Sequence, residues 1–325
     1  MFKSASFFRI ATDFVVPPLE ALEEALQAAR FVPCGATQPE SSGWIAPRGN
    51  KGTALVESIN RQIFVRLCTE RRPVPASAIK AAVEERVEKY KQETGRERVG
   101  AKIKKEFREE VLVDLMPRAF TKQSSTTVWL DPVNKFIVVD SGSLTGADKV
   151  VSFLVEALSS VVVAAGLKAQ PVQTSLSAAV SMSHWLSSRE APVGFTVDRD
   201  CELKMPDDEK STVRYSRHTL EIDEVAEHIA AGKVPTQLAM TWKDRVSFVL
   251  SEAGQIKKLK LLGVVLDGVG DKGKDDDGFD TDAAILTGEL SALIPDLLEA
   301  LGGELAATDN SSVSADASAT KLAAA

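Results

Sequence analysis

The sequence has few cysteines, and their arrangement does not suit cross-linking or metal binding. Cys34, Cys68 and Cys201 are odd in number, and no two of them form a C-x-x-C pair. Disulfide frameworks and structural zinc sites need paired, closely spaced cysteines. We therefore expect no disulfide scaffold and no metal site, and we expect the three thiols to be buried as small hydrophobic groups.

Histidine is equally scarce, and no catalytic motif accompanies it. His184, His218 and His228 are the only histidines, none of them lies in an H-E-x-x-H or another metal-spaced pair, and the chain has no G-x-S-x-G elbow. A catalytic nucleophile needs a positioned base, and the sequence offers no such pairing. We therefore predict that the protein is not an enzyme, has no catalytic residues and needs no cofactor.

Long hydrophobic runs are missing as well. The longest apolar run lies around residues 161–167, far below the ~20 residues that span a bilayer. Residues 1–10 contain a single Lys3, no long apolar core and no small-residue cleavage site, so they do not have the pattern of a signal peptide. The sequence thus predicts a cytoplasmic protein that does not contact membranes.

The formal net charge of −7 is distributed unevenly along the chain. Residues 263–325 contain thirteen acidic and three basic residues, and subtracting this −10 from the total of −7 leaves +3 for residues 1–262. Within that part, residues 86–108 hold nine basic residues against four acidic ones. Such a local field can attract phosphates even when the whole molecule is acidic, although many charged runs are only solvated helix faces.

Two helices are predicted on either side of a basic turn at residues 94–102. The first is capped by Ser77 and ended by Gly95, and the second is ended by Pro117. Each would be roughly 25 Å long, so the turn could stand clear of the protein body as the tip of a hairpin. Their apolar positions recur at helical spacing, namely Ile79, Val83, Val87 and Tyr90 in the first helix and Ile103, Phe107, Val111 and Leu115 in the second.

The remaining elements mix strands and helices on both sides of this hairpin. Alternating or β-prone segments predict strands at residues 4–10, 61–69, 126–130, 136–139, 212–215, 237–242, 246–250 and 256–266, and turn residues predict a loop at 33–43. Amphipathic patterns predict helices at residues 19–29, 147–159, 221–231 and 283–301, the last broken softly at Pro295. The fold class is therefore α+β, with two similar bodies of mixed antiparallel sheet and helix and a projecting helical hairpin.

Five segments follow from this pattern. We predict an N-terminal α+β domain, the helical hairpin with its basic tip, a central α/β segment, a C-terminal α+β domain and a disordered tail, at residues 1–75, 76–116, 117–170, 171–302 and 303–325. The closing Lys321-Leu-Ala-Ala-Ala has the composition of an expression-vector remnant and is excluded from the functional argument.

Two loops have partial binding motifs. The loop from Gly268 to Lys274 nearly forms a P-loop, but three aspartates follow where magnesium and phosphate would bind, so an acidic surface loop is the better interpretation. The same aspartates fail the register of a calcium-binding EF-hand. The loop from Gly142 to Gly146 could hold an anion on its amides, although an ordinary strand-to-helix turn explains it better.

Several short strings, spread over residues 1–304, resemble the RdgC family of bacterial recombination-associated proteins. The most specific are Pro-Arg-Ala-Phe at 117–120 and Thr-Gly-Glu-Leu at 287–290, in that order and spacing. The others are Phe-Val-Pro-Cys-Gly at 31–35, Gly-Trp at 43–44, Trp-Leu-Asp at 129–131, Val-Asn at 133–134, Val-Val-Asp at 138–140, His-Ile-Ala-Ala-Gly-Lys-Val at 228–234, Leu-Ala-Met-Thr-Trp at 238–242 and Leu-Gly-Gly-Glu at 301–304.

This resemblance implies a ring-shaped homodimer with a positively lined hole for double-stranded DNA. Members of the family bind DNA without sequence preference and restrain RecA-driven recombination by limiting access to DNA, which implies a nucleoid-associated protein. Phe120 resembles the family phenylalanine at a subunit contact, with core packing as the alternative. Arg217 and His218 fall where the family has a basic–polar pair implicated in closing the ring and binding DNA, with histidine here in place of an amide.

The DNA-binding residues predicted from charge lie mainly on the hairpin. Phosphate neutralisation needs exposed cations, whereas base readout needs a recognition helix, which the sequence does not show. The predicted phosphate contacts are Arg96, Arg98, Lys102, Lys104 and Lys105, with Lys122 and Lys233 as additions. Two other functions stay open, namely a protein–protein adaptor that does not bind DNA and a nucleotide-dependent enzyme built on the loop from Gly268 to Lys274.

Overall fold

A computed structural model describes residues 2–159, 167–266 and 278–305. The chain folds into two compact units, and each unit is built from three separate stretches of sequence. Within the described residues, the first unit comprises residue 2, residues 11–168 apart from 160–166, and residues 278–284, and the second comprises residues 3–10, 169–266 and 285–305. The five segments predicted from the sequence are a different kind of division and stay a prediction.

Helices and antiparallel strands are mixed along the chain, which confirms the α+β class. The strands are β1 (Ser6–Ile10), β2 (Glu40–Ile45), β3 (Glu57–Ile59), β4 (Gln62–Arg71), β5 (Lys122–Asp131), β6 (Phe136–Val139), β7 (Ala169–Pro171), β8 (Phe195–Met205), β9 (Asp208–Tyr215), β10 (Val234–Trp242), β11 (Val246–Ser251) and β12 (Ile256–Leu261). The helices are α1 (Leu19–Ala28), α2 (Ala76–Thr94), α3 (Ala101–Leu115), α4 (Leu144–Leu158), α5 (Ala178–Ser188), α6 (Asp223–Ala230), α7 (Gly263–Leu266) and α8 (Phe279–Ala300).

The first unit contains an antiparallel sheet in the order β2-β4-β5-β6, with β3 also paired to β4. All four residues of β6 are buried, and α4 has an apolar face whose side chains are buried as well. The turn between β5 and β6 is fixed by Asp131, whose Oδ1 accepts hydrogen bonds from the amides of Val133 at 3.0 Å and Asn134 at 3.1 Å. A side-chain turn of this kind connects the two strands that the sequence predicts at residues 126–130 and 136–139.

The second unit contains a five-stranded antiparallel sheet in the order β12-β11-β10-β8-β9, and β1 pairs antiparallel with β7. Its strands bury Leu203, Leu238, Met240 and Leu250 completely. The predicted helix at residues 221–231 is α6, and Gly232 follows it with a φ of 93°. The predicted helix at 283–301 is confirmed as α8, which starts four residues earlier and contains Pro295 within its length.

Four details of the sequence prediction are wrong. The loop expected at residues 33–43 includes the start of β2, and β8 was not predicted at all. The expected strand at 256–266 ends at Leu261 and is followed by the short helix α7. The expected cap Ser77 lies inside the first turn of α2, because Pro75 occupies the capping position without a side-chain hydrogen bond.

Gly43 explains why β2 forms where turn residues predicted a loop. A Cβ at this position would lie 2.4 Å from the Cα of Phe31, so only glycine allows the two backbones to approach so closely. The amide of Phe31 donates to the carbonyl of Trp44 at 3.0 Å, and the amide of Trp44 donates to the carbonyl of Ala29 at 3.0 Å. Glycine here marks a close backbone approach beside a strand and not a break in the chain.

The described part of the chain contains all three cysteines and the eight α-helices. Cys34, Cys68 and Cys201 are free and buried, as predicted. Burial raises the pKa of all three thiols, that of Cys201 to about 12. None of the helices in these residue ranges combines the length and hydropathy that a membrane span requires.

Candidate nucleic-acid interface

The helices α2 and α3 form the predicted hairpin, and few side chains are buried between them. Val87 in α2 and Val111 in α3 are their only buried side chains. Tyr90 and Phe107 stack edge to face nearer the turn, with ring centroids 5.7 Å apart and an interplanar angle of 68°. These apolar residues are the ones that the helical spacing predicts, and they leave almost all other positions of the hairpin open to solvent.

The turn of the hairpin is built from backbone geometry. Gly95 ends α2 in the left-handed region with a φ of 66°, and its amide donates to the carbonyl of Lys91 at 2.9 Å. A residue with a Cβ is strained in this conformation, so glycine is the natural end of the helix. The next helix starts after Gly100, whose carbonyl accepts from the amide of Lys104 at 3.2 Å. At 1.5 Å per residue, α2 is about 28 Å long and α3 about 22 Å long.

Ion pairs hold the base of the hairpin together. Arg86 in α2 donates hydrogen bonds to the carboxylates of Glu110 and Asp114 in α3. Lys91 pairs with Glu88 within α2, with 2.7 Å between Nζ and Oε1. Arg86 and Lys91 therefore already have carboxylate partners, and they are less free to contact a phosphate.

The tip of the hairpin is different. Residues 96–105 contain five basic residues and one acidic residue, and all five cationic side chains are exposed. Within the described residues, Arg96, Arg98, Lys102 and Lys104 have no carboxylate within ion-pair distance, and Lys105 reaches Glu109 only at 3.9 Å. An exposed pair of this kind contributes little stability, so it competes weakly with an external anion. We call these five cations the hairpin tip cluster.

Lys122 lies outside this cluster but in the same unit. It is the first residue of β5, it is exposed, and its register partner in β4 is Arg71. Arg71 donates to the carboxylate of Glu40 at 2.9 Å, so it is neutralised by a neighbour on β2. Lys122 keeps its predicted exposure, and the structure does not bring it into contact with the hairpin tip cluster.

Phe120 is 93% exposed, which excludes core packing within the chain as the reason for its presence. Its backbone neighbourhood is well fixed, because Arg72 donates to the carbonyl of Ala119 at 3.1 Å and to the carbonyl of Cys34 at 3.4 Å. The loop that contains Cys34 exposes a second apolar side chain, Val32, to 67%. A large aromatic side chain held outward on an ordered backbone is typical of an interface.

Arg217 and His218 lie in the second unit, in the turn that follows β9. Arg217 has a φ of 55°, and its amide donates to Oδ1 of Asp200 at 2.7 Å. The amide of His218 donates to the carbonyl of Arg199 at 3.1 Å, and its ring centroid lies 6.1 Å from that of Tyr215. Both predicted side chains are exposed. Arg199 is an exposed cation beside this turn, and the sequence does not predict it as a site residue because it does not predict β8.

A buried carboxylate stabilises the strands that carry this turn. The Glu202 side chain is 5% exposed in β8, and it is hydrogen-bonded by Arg214 Nε at 3.0 Å and Thr236 Oγ1 at 2.9 Å, with Lys204 Nζ at 3.1 Å from Oε1. The pKa of Glu202 is lowered to about 2, chiefly by the hydrogen bond from Arg214 and then by those from Lys204 and Thr236. Three strands are thereby tied together by one anion.

Lys233, the remaining predicted contact, is already engaged. Its Nζ donates to Oγ of Ser211 at 2.7 Å, and its side chain is only partly exposed at the start of β10. The structure therefore groups the five hairpin cations, and it places Arg217, His218 and Lys233 in the other unit. Lys233 is the weakest candidate among them, because binding a phosphate would cost it an existing hydrogen bond.

The motifs set aside in the sequence behave as ordinary structure or lie outside the described ranges. Ser143 caps α4 and accepts from the amide of Gly146 at 3.3 Å, as an ordinary strand-to-helix turn requires. The loop from Gly268 to Lys274, the aspartates at 275–277 and most of the tail, residues 306–325, are not among the residues that the structure describes. No cluster of three or more metal-ligating side chains occurs in the parts that it does describe.

These features define a mixed α+β protein with two compact units and a helical hairpin that exposes a cationic tip. A protein-family model described as "Putative exonuclease, RdgC" matches residues 1–304. The chain belongs to the RdgC family, as its sequence strings predict.

Similar proteins in other bacteria are named recombination-associated protein RdgC. The protein of Dechloromonas aromatica (strain RCB) is 42% identical over 308 residues, covering 94% of this chain and 98% of the relative. That of Herminiimonas arsenicoxydans is 40% identical over 306 residues, covering 94% and 99%. That of Janthinobacterium sp. (strain Marseille) is 40% identical over 305 residues, covering 94% and 98%. The names of these relatives refer to recombination and not to an enzyme activity, whereas the family description refers to an exonuclease.

Proposed function

We propose that this protein binds double-stranded DNA through phosphate contacts, without reading sequence, and modulates homologous recombination by restraining the access of RecA to DNA. It acts as a non-enzymatic homodimer that encircles the duplex, associated with the nucleoid in the cytoplasm. The observation that carries the proposal is the group of five exposed cations at the hairpin tip, of which, among the described residues, Lys105 alone has a carboxylate within ion-pair distance, Glu109 at 3.9 Å. Unpaired, exposed cations are the groups that phosphate binding requires.

The cations of the hairpin set the expected strength of the salt dependence. Each neutralised phosphate lowers log K by about 0.9 for each log unit of salt. The five cations of the hairpin tip cluster would therefore contribute about −4.5 to the slope for each protomer of the dimer, or a loss of roughly 500-fold in affinity per protomer between 50 and 200 mM salt. Without a recognition helix that presents side chains to base edges, duplexes of different sequence should bind alike.

The dimer follows from Phe120 and from the resemblance to the family. An aromatic side chain that is 93% exposed in the single chain is suited to burial against a second copy, where a twofold interface would use it twice. Arg217 and His218 supply a polar contact of the closed ring and a contact to DNA. A closed ring lengthens the residence time on DNA, because release requires opening or sliding from an end.

The decisive experiment reverses charge at the hairpin tip. The variant Arg98→Glu/Lys102→Glu/Lys105→Glu should bind duplex DNA with a slope shallower by about 2.7 per protomer, because each protomer loses three phosphate contacts. The measurement is fluorescence anisotropy of a labelled duplex against salt, repeated with a second duplex of unrelated sequence.

A matched control carries the same change of net charge elsewhere in the first unit. Lys51, Lys149 and Lys168 are exposed and lie outside the hairpin. The control Lys51→Glu/Lys149→Glu/Lys168→Glu should keep the slope of the unmodified protein. If the unmodified protein does not bind DNA even at low salt, the proposal is wrong and the adaptor function takes its place. Equal slopes for the two triple variants would contradict the assignment to the hairpin.

A second candidate function comes from the family description, which names an exonuclease. The proposal of a non-enzymatic protein predicts that end-labelled linear duplex keeps its length after long incubation with Mg²⁺ or Mn²⁺. Progressive shortening, lost after removal of the divalent cation, would establish the exonuclease instead. In a RecA strand-exchange assay, the same protein should slow the reaction in proportion to the duplex that it covers, without degrading either strand.

A further inference from the structure

The strand β12 carries a row of lysines in the second unit that the sequence pattern concealed. Lys257, Lys258 and Lys260 lie among Ile256, Leu259 and Leu261, so the segment reads as an apolar strand. Lys258 and Lys260 are exposed and Lys257 is half-exposed, whereas Ile256 and Leu259 are buried. Within the described residues, none of the three lysines has a carboxylate within ion-pair distance.

A β-bulge places all three lysines on the solvent side. The register pairs Ser247 with Lys260 and Val249 with Lys257, so Phe248 alone stands opposite two residues of β12. Lys258 is one of these two, and it has a φ of 51°, a left-handed conformation that residues with a Cβ rarely adopt. In a regular strand, Lys257 and Lys258 would point to opposite faces. The extra residue changes the phase, so the strand buries its apolar side chains and exposes each lysine.

Lysines on a strand often serve another purpose, namely to keep exposed sheet edges from pairing with other chains. Here the outer edge of β12 is already paired. The amides of Ala5 and Ile256 donate to each other's carbonyls at 2.8 and 3.0 Å, and the amide of Leu259 donates to the carbonyl of Lys3 at 2.9 Å. Protection of a free edge therefore does not explain why β12 has three lysines. It also does not explain the bulge at Lys258, which exposes all three of them.

We propose that Lys257, Lys258 and Lys260 form a second phosphate-binding surface, which contacts the backbone of double-stranded DNA independently of the hairpin tip cluster. Clustered ammonium groups without carboxylate partners suit a polyanion with regularly spaced charges, and they carry no base specificity. This inference rests on the proposed DNA binding and deepens it, because it assigns contacts to the second unit as well as the first.

The test neutralises the row without disturbing the bulge. The variant Lys257→Gln/Lys258→Asn/Lys260→Gln uses asparagine at the left-handed position because asparagine tolerates that conformation. Its slope of log K against log salt should be shallower by up to about 2.7 per protomer than that of the unmodified protein. The control Lys51→Gln/Lys149→Gln/Lys168→Gln makes the same change of charge elsewhere and should leave the slope unchanged.

A second measurement uses the unmodified protein, so that the inference can be tested even if the variant does not fold. Lysine acetylation, read by mass spectrometry with and without duplex DNA, should show protection of all three β12 lysines and none of Lys51. If the charge-reversed hairpin weakens the salt dependence but the β12 variant behaves as its control and its lysines stay reactive, this inference fails alone. If the unmodified protein ignores DNA at low salt, the proposed function and this inference fail together.

Discussion

Truncation of Phe120 to alanine is the sharpest test of the dimer. The side chain is 93% exposed in the single chain, so its removal takes away no internal packing. Burial of one phenylalanine contributes about 1.5–3 kcal/mol, and a twofold interface contains two copies. Phe120→Ala should therefore weaken dimerisation by about 3–6 kcal/mol, which raises the dimer dissociation constant at least about 100-fold.

Sedimentation equilibrium over a range of concentrations gives this dissociation constant directly. Urea unfolding of the monomer, at a concentration well below the dissociation constant, should change by less than about 0.5 kcal/mol, because exposed positions have small effects on folding. Val193→Ala serves as the control, since that valine is 97% exposed and lies in the other unit. An unchanged dissociation constant for Phe120→Ala would refute the assignment of this side chain to the interface, as would a large loss of monomer stability.

Three further substitutions test the folded state. Glu202→Gln should lose on the order of 3 kcal/mol of unfolding free energy at pH 7, because the pKa of Glu202 is held near 2 in place of its usual 4.5; exposed Arg214 makes this an upper bound. The stability that this carboxylate contributes is present above pH 4.5 and is lost as the pH falls towards 2, so urea unfolding should show the gap to the unmodified protein closing at pH 3 and below. Gly43→Ala should lower the unfolding free energy by at least about 2 kcal/mol, because its Cβ would clash with the backbone of Phe31. A smaller loss in urea unfolding would contradict the close approach of the two backbones. Gly288→Ala is the opposite case, an exposed helix position with nothing within 4 Å of the new Cβ, and should raise the unfolding free energy by about 1 kcal/mol.

The hairpin could be predicted from the sequence because its signals are local. Apolar residues at helical spacing, a glycine at the end of α2 and a proline after α3 each act within a few residues of the place that they determine. The charge of the tip is likewise a property of one short segment. The family strings point to Phe120, and its exposure of 93% excludes core packing within the chain, whereas its place in an interface stays a proposal.

The missed features depend on residues far apart in the chain. The sequence predicts a loop at Gly43, because its close neighbour, Phe31, is brought beside it only by the fold. The lysines of β12 read as part of an apolar strand, since the bulge at Lys258 exists only through pairing with β11. Arg199 was overlooked because β8 alternates polar and apolar side chains weakly. In each case the deciding interaction is long-range, and periodicity within a single segment cannot reveal it.

The interleaved origin of the two units bears on how the protein is made. The second unit needs residues 3–10 together with residues after 285, so an early strand waits until about 275 further residues have been synthesised. At roughly 5–20 residues per second, that interval lasts about 14–55 s on the ribosome. During it β1 can pair with β7 once residues 169–171 have been made, but the second unit stays incomplete, and fragments cut at either end should lack part of a unit. Both units therefore need a nearly complete chain, and a prematurely terminated product cannot assemble them both.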